Sequence, residues 1–569
     1  MKVAIVGSGV TGLAATWVLN EYSNHEVHLY EVHTRPGGHA NTVSFVSPGR
    51  KPVDVDTYIV FNPSTYPNFL RFLRLHPDLK SRIQATDMTF SVSRDNGAFE
   101  WGGASLGAVF CQLRQLLDPD HWRMLYDVAR FNACARCLLH LRDGTLYASD
   151  DVSIGEYLRR EGYSHSFRDN YLIPMTAAIW STPPDKCSLD FPARTLVQFM
   201  HNHHLLQIFG KPSWLTFRGG SQCYVNHILS RLPASQLHLS TRITSVKTRN
   251  EHDVEVTTAS GERAIYDHVI FACHSDTALD ILRVGGGVTP EEERILGAFK
   301  WNKNVAVLHY DSALMPKRRV AWSCWNYLTA SEKDEGGRKK ANVDRVSLTY
   351  WMNALQHIPE EDCGPVFVTL NPPFEPDPSR TAGRYQYEHP VLGAKAVRAQ
   401  QEMPAIQGKR GLSFAGAWLK YGFHEDGFTS GMRAAAALLR ALPSPSPSGR
   451  GGPTTSEAHS ETTSPLPFEI LDADRGWKED RYAKVLALFF DVFEGVGLRA
   501  IVGAGLVLGM VGINAAVLEA GLDGKRQEVY SNADTGRKAL KREYDPTSRS
   551  PTPRKKQRAQ NPTSDSIVH

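Results

Sequence analysis

An α/β fold is predicted for most of this 569-residue chain, and three observations predict it. The first is a strand, glycine turn, helix and second strand at the start of the chain. The second is the alternation, up to residue 442, of short Val/Ile-rich runs, amphipathic helical runs and Gly/Pro turns. The third is an abrupt change to Pro, Ser, Gly and Thr over 443–466, a composition that reads as a disordered linker. A chain this long exceeds one compact core, so roughly two or three domains are expected.

The opening unit carries the strongest motif. "KVAIV" carries the β-branched Val3, Ile5 and Val6, as a buried parallel strand should. Gly7, Gly9 and Gly12 follow as G-x-G-x-x-G, with Ser8, Val10 and Thr11 between them. Gly7 suits the tight turn, Gly9 lets the backbone approach a pyrophosphate, and Gly12 lets helix and strand pack closely. The helix "TGLAATWVLNEY" then turns its free N–H groups and its dipole toward an anion. The second strand, "EVHLYE", ends at Glu31, where an acid would take ribose hydroxyls. Strand, glycines, helix and acid in register predict a Rossmann-like dinucleotide site, and the acid disfavours a 2′-phosphate.

Composition excludes other classes. Hydrophobic residues at 41% and charged residues at 22% are those of a globular enzyme. A net charge of +4 spread over the chain gives no basic field for nucleic acid. Eight cysteines are scattered, and the close pair Cys134 and Cys137 lies in a helix-like run, so they read as packing thiols in a reduced setting. The first strand starts at Lys2, which leaves no room for a cleaved leader and points to an intracellular protein. His201, His203 and His204 lack a two-ligand helical spacing and an evident carboxylate, so no metal is expected there.

A second glycine turn, "RPGGHANT", brings Arg35, Gly37, Gly38 and His39 just after the acid. A late segment, "LSFAGAWLKYGFHEDGFTSGMRAAAALL", runs from strand through glycines into an alanine-rich helix. Together with the opening motif these resemble the FAD-containing amine oxidase and phytoene desaturase superfamily. The resemblance implies FAD, a Rossmann-like FAD-binding domain and an interleaved α+β substrate domain. It implies that the second turn passes the flavin and that Gly416 approaches its ribityl-phosphate chain. It also implies that Ser430 and Gly431 open a helix facing the ring, and that the backbone of Ile243 holds the adenine. The implied division is 1–75, 215–285 and 395–442 for the FAD domain, and 76–214 and 286–394 for the substrate domain.

A narrower resemblance rests on "YLIPMTAAIWSTP", "NHHLLQIFGKPSW", "GGSQCYV", "VLHYDSALMP", "WSCWNYL", "TYWMNALQ" and "FHEDGFTSG". These are similar to predicted NAD/FAD-binding oxidoreductases associated with cyclopropane-fatty-acid synthases, including fungal members, and the likeness spans about residues 1–442. Two departures stand out. The family places a glycine between the positions of Thr57 and Tyr58. Amine oxidases carry a flavin-side lysine on the strand reading "WNKNVAVLHYD", where Asn304 falls nearest and Lys303 lies one residue off. A one-residue slip turns a strand side chain to the other face, which weakens amine oxidation.

The middle of the chain is rich in Tyr171, Trp180, Phe199, Phe209, Trp214, Trp322, Trp325, Tyr350 and Trp351, which suit an apolar, perhaps acyl-lipid, substrate. Phe423 falls where amine oxidases place half of an aromatic cage. His424 beside it is the natural proton carrier, with Glu425 as its companion. A flavin amine oxidase and a non-catalytic flavin-bound scaffold are the competing readings.

Past the linker, 467–521 is an apolar helical segment. Its uncharged run at 500–518 is long enough for a membrane helix or hairpin, which would bring the chain to membrane lipid, and a buried helix packed on the FAD domain is the other reading. Residues 522–569 are polar and basic and read as disordered.

Overall fold

The computed structural model describes residues 1–56, 60–139, 152–180, 189, 191–207, 213–250, 252–333, 339–341, 347–440, 466–472, 481–499, 501–505 and 508–509. The Thr57–Tyr58 junction, Phe209, 443–465 and 522–569 lie outside the described residues. Met1–Arg499 forms one compact unit and Ala500–His569 a second.

Within the first unit, β1 (Lys2–Val6) leads into α1 (Val10–Tyr22) and β2 (Glu26–Tyr30). Three residues of β1, Val3, Ala4 and Ile5, are fully buried because both faces of this strand are covered. Helix α2 (Pro67–Leu75) packs nearby through Phe69, Leu70, Phe72 and Leu73. A second sheet begins with β3 (Phe90–Arg94) and β4 (Phe99–Gly102), followed by α3 (Pro119–Cys134) and α4 (Ala193–Asn202). The chain then returns to the first sheet with β5 (Leu237–His238) and β6 (His268–Phe271). It departs again through β7 (Lys300–His309), β8 (Trp325–Thr329), β9 (Ser347–Trp351), β10 (Phe367–Leu370) and β11 (Thr381–Val391). It closes with β12 (Leu412–Phe414), α5 (His424–Arg440) and α6 (Arg481–Gly495).

The first sheet is five-stranded and parallel, in the order β12-β6-β1-β2-β5. Its strands therefore come from the beginning, middle and end of the sequence. The second sheet has seven strands in the order β11-β7-β10-β9-β8-β3-β4, antiparallel except where β8 meets β3. Each sheet has its own core. Leu13, Trp17, Val18, Phe428 and Met432 pack on one side of the parallel sheet, and Val254, Leu279, Phe299 and Trp418 on the other. Phe131, Phe167, Phe199, Tyr327 and Leu348 fill the core of the second sheet with α3 and α4.

Helices α1 and α5 touch backbone to backbone. A Cβ on Gly431 would lie 2.1 Å from the Thr11 carbonyl oxygen, and one on Gly427 would lie 2.7 Å from Cγ1 of Val10. The alanine-rich helix is thus the partner of the first helix.

Two expectations change. Helix α5 starts at His424, so Ser430 and Gly431 lie in its second turn and do not open it. Leu466 is buried in the first core, so the predicted linker ends one residue earlier. From there 466–472 runs as a strap: Phe468 stacks on Trp17 at 6.1 Å and the Leu471 carbonyl accepts from Asn68. Among the described residues no helix is long and apolar enough to cross a membrane. Most of the 500–518 run lies outside them. Helix α6 packs on α3, with Tyr126 donating to Glu494, and exposes Val485, Leu488, Phe489 and Val492 on its other side.

Candidate active site

The turn after β1 is built by its glycines. Gly7 has φ of +106°, and a Cβ on Gly12 would stand 1.9 Å from the Gly7 oxygen. These two glycines shape the turn. Gly9 is different: a Cβ there would meet nothing within 4 Å, and the residue faces a cleft with Val10 and Thr11. The room above Gly9 and the unpaired first amides of α1 make the cradle a pyrophosphate needs.

Glu31 directly follows β2 and is buried. Its carboxylate accepts from the Ser8 amide at 3.0 Å, the Ser8 hydroxyl at 2.6 Å and the His33 amide at 2.9 Å. Ser8 therefore orients the acid. The second glycine turn lies against the first: the Gly37 amide donates to the Ser8 carbonyl at 3.1 Å, and a Cβ on Gly38 would sit 3.0 Å from the Gly9 Cα. Arg35 fixes this turn from within, donating to the carbonyls of Pro36, Gly38 and Ala40. His39 lines the cleft, and its Nε2 is buried with no hydrogen-bond partner.

Gly416 also lines the cleft, but its lack of a side chain has a second cause. A Cβ there would fall 2.1 Å from Nε1 of Trp418, whose indole donates to the Cys273 carbonyl at 3.1 Å. The Ser430 hydroxyl accepts from the Gly416 amide and so ties β12 to α5. Ile243 is buried behind the sheet beside Val6 and Tyr30 and does not line the cleft.

The cleft opens to solvent and has a cavity volume of about 270 Å³. One wall is the glycine cradle with Ala272, Cys273 and Ala417. The opposite wall is apolar, with Ile179, Phe199, Leu205, Trp214, Trp325 and Tyr350. Phe423 joins it, stacked on Phe199 at 5.2 Å. The other expected aromatics pack elsewhere: Tyr171 stacks on Trp101, Trp180 on Phe191, and Trp322 meets Trp351 edge to face.

Imidazoles line the seam between the walls: His39, His203, His274, His389 and His424. Burial lowers the pKa of all five, those of His203 and His389 to about 4 and that of His424 to about 3. They are neutral bases and donors at neutral pH. His424 meets the Tyr224 hydroxyl at 2.9 Å. His274 stacks on Trp301 at 3.7 Å and contacts Glu388 at 3.3 Å. Lys303 points away and is exposed, while Asn304 is buried and meets His389. Among the described residues no lysine lines the cleft. Among the described residues no His, Cys, Asp and Glu group has metal-holding geometry.

Glu425 does not belong to the cleft. Its carboxyl accepts from the amides of Asn68 at 2.8 Å and Phe69 at 2.9 Å, capping α2. Burial, with Asp426 adding to it, pushes its pKa up to about 8 against the amide bonds that lower it. The native state keeps this proton up to about pH 8, and the unfolded chain releases it near 4.5, so stability falls as pH rises through that window. Glu425→Gln is expected to remove this slope, up to about 1.4 kcal/mol per pH unit. Thermal unfolding of both proteins between pH 5 and about 9 measures it, and parallel curves would contradict the assignment.

Trp301, Glu388, His389 and Trp418 were not legible as site residues. The only sequence hints are the alternating asparagines of "WNKN" and the "EHP" triplet, whose pairing appears only when β7 and β11 align.

A dinucleotide cradle opening on an apolar-walled cleft with neutral imidazoles at the seam defines a flavin-dependent oxidoreductase. The family model for flavin containing amine oxidoreductases matches residues 10–310, and the chain belongs to that family. It is an FAD-dependent oxidoreductase. Its fold is similar to a CLA-producing fatty acid isomerase from P. acnes, at 12% identity over 78% of this chain and 98% of that one, with a TM-score of 0.51. It is similar to cyclohexylamine oxidase from Brevibacterium oxydans, at 14% identity over 77% and 98%, with a TM-score of 0.50. Reduced UDP-galactopyranose mutase matches at 17% identity over 78% and 96%, with a TM-score of 0.51. A search of curated proteins found no match.

Proposed function

We propose that this enzyme oxidises, desaturates or isomerises an apolar acyl-lipid substrate, with FAD as the two-electron acceptor. The observation that supports this most is the charge of the cleft. Among the described residues that line it, Glu388 is the one acid, there is no lysine or arginine, and the imidazoles are neutral. A protonated amine would need a free carboxylate, and Glu388 faces His274 and Lys303. An acyl chain needs only apolar walls, which Phe199, Trp214, Trp325, Tyr350 and Phe423 provide. The folds it resembles include an isomerase of fatty acids and an oxidase of an amine, so the cleft, not the fold, favours the lipid reading.

The test is the visible absorption of the full chain, recorded anaerobically before and after lipid extract or, separately, mixed amines. The full chain is used because the 466–472 strap packs on the first core. Bleaching of the flavin band by lipid alone is the expected result. Bleaching by amines would establish the amine oxidase instead, and a band that neither bleaches would leave the flavin-bound scaffold.

A further inference from the structure

The hydrogen-bond chain behind His389 has a direction. It begins at the Val305 amide, which can only donate, and does so to Oδ1 of Asn371 at 2.9 Å. That leaves the Asn371 NH₂ to donate to Oδ1 of Asn304 at 2.7 Å. Asn302 donates to the same oxygen at 3.1 Å. The Asn304 NH₂ therefore faces Nδ1 of His389, at 2.7 Å, and Nδ1 must accept. An imidazole that accepts at Nδ1 while neutral carries its hydrogen on Nε2.

His389 lines the cleft, and its ring lies 5.3 Å from that of His39 beside the second glycine turn. Asn304 holds it from the strand position where related amine oxidases are expected to carry a lysine. The titratable groups facing it are His39, whose ring packs beside it, and His274.

We propose that His389 is a fixed hydrogen-bond donor of the active site, its Nε2–H locked in place by the Val305–Asn371–Asn304 chain to stabilise negative charge that develops in the cleft during reduction. Its Nδ1 is occupied by Asn304, so its part is to donate rather than to ferry protons. The proposal rests on flavin and substrate sharing this cleft, but not on which substrate it is.

Two measurements test it. In ¹⁵N-histidine-labelled protein at pH 7, with the signal assigned by its loss in His389→Gln, His389 should show an unprotonated Nδ1 and a protonated Nε2. An Nδ1–H tautomer or an imidazolium would overturn the proposal whatever the enzyme's substrate. The flavin midpoint potential is then compared across variants. His389→Leu should move it to a more negative value and slow substrate-driven flavin reduction about 100-fold, the usual effect of deleting one preorganised donor. His389→Gln, which keeps an N–H, should restore most of both. An unchanged potential in His389→Leu, with FAD still bound, would overturn the donor role. If the potential shifts but amines rather than lipids reduce the flavin, the donor stands and the substrate reading fails.

Discussion

Gly431→Ala is expected to destabilise the chain by about 3 kcal/mol, in the direction opposite to helix propensity. Alanine is favoured over glycine inside a helix by about 1 kcal/mol, and Gly431 is in the second turn of α5, so propensity alone predicts a gain. The neighbour decides otherwise. The new Cβ would stand 2.1 Å from the Thr11 carbonyl oxygen and 3.1 Å from the Ala14 Cβ. Both are fixed parts of α1, which is buried from Thr11 to Leu19, so neither can swing aside. Relief requires the two helices to separate, which loosens Leu13, Trp17, Phe428 and Met432 together. Calorimetric unfolding of wild type and variant gives the sign directly. A higher melting temperature in Gly431→Ala would mean that the helices part at no cost.

The same contact shows where sequence reasoning reached and where it stopped. The opening βαβ unit was legible because everything it needs is local: Gly7 and Gly12 meet each other, and Glu31 meets Ser8. The late helix was legible from its alanines, but its start was placed six residues late. His424, Glu425 and Asp426 read as an acidic turn, although acids in a first turn suit a helix N-terminus. Gly431 was expected to open a helix facing the ring, whereas it lies inside that helix and meets Thr11, at the far end of the sequence. Glu425 was assigned to catalysis, whereas it caps α2. The Asn304–His389 pair was missed for the same reason, since strand register alone brings it together. A residue's type and neighbours restrict what it can do. Which of those things it does is set by a partner distant in sequence.

Gly9→Val is expected to give a folded protein that has lost its flavin. The backbone at Gly9 has φ of −62° and ψ of 178°, which any L-residue adopts, and no atom lies within 4 Å of the new Cβ. Valine therefore costs the apoprotein little, in contrast to Gly7, Gly12 or Gly431. Its methyl groups would occupy the space over the first amides of α1, where the pyrophosphate sits in a cradle of this kind. Those amides then face hydrocarbon, and the anion loses both its donors and its room. A loss in FAD affinity of about 100-fold or more, near 2.7 kcal/mol, is the expected consequence. The ratio of flavin to protein absorbance after purification reads the affinity, and the melting temperature relative to wild-type apoprotein reads the fold. Loss of flavin with an unchanged apoprotein melting temperature locates the cofactor's phosphates above Gly9. Retention of flavin would place them elsewhere, and the cradle between the two glycine turns would need a different occupant.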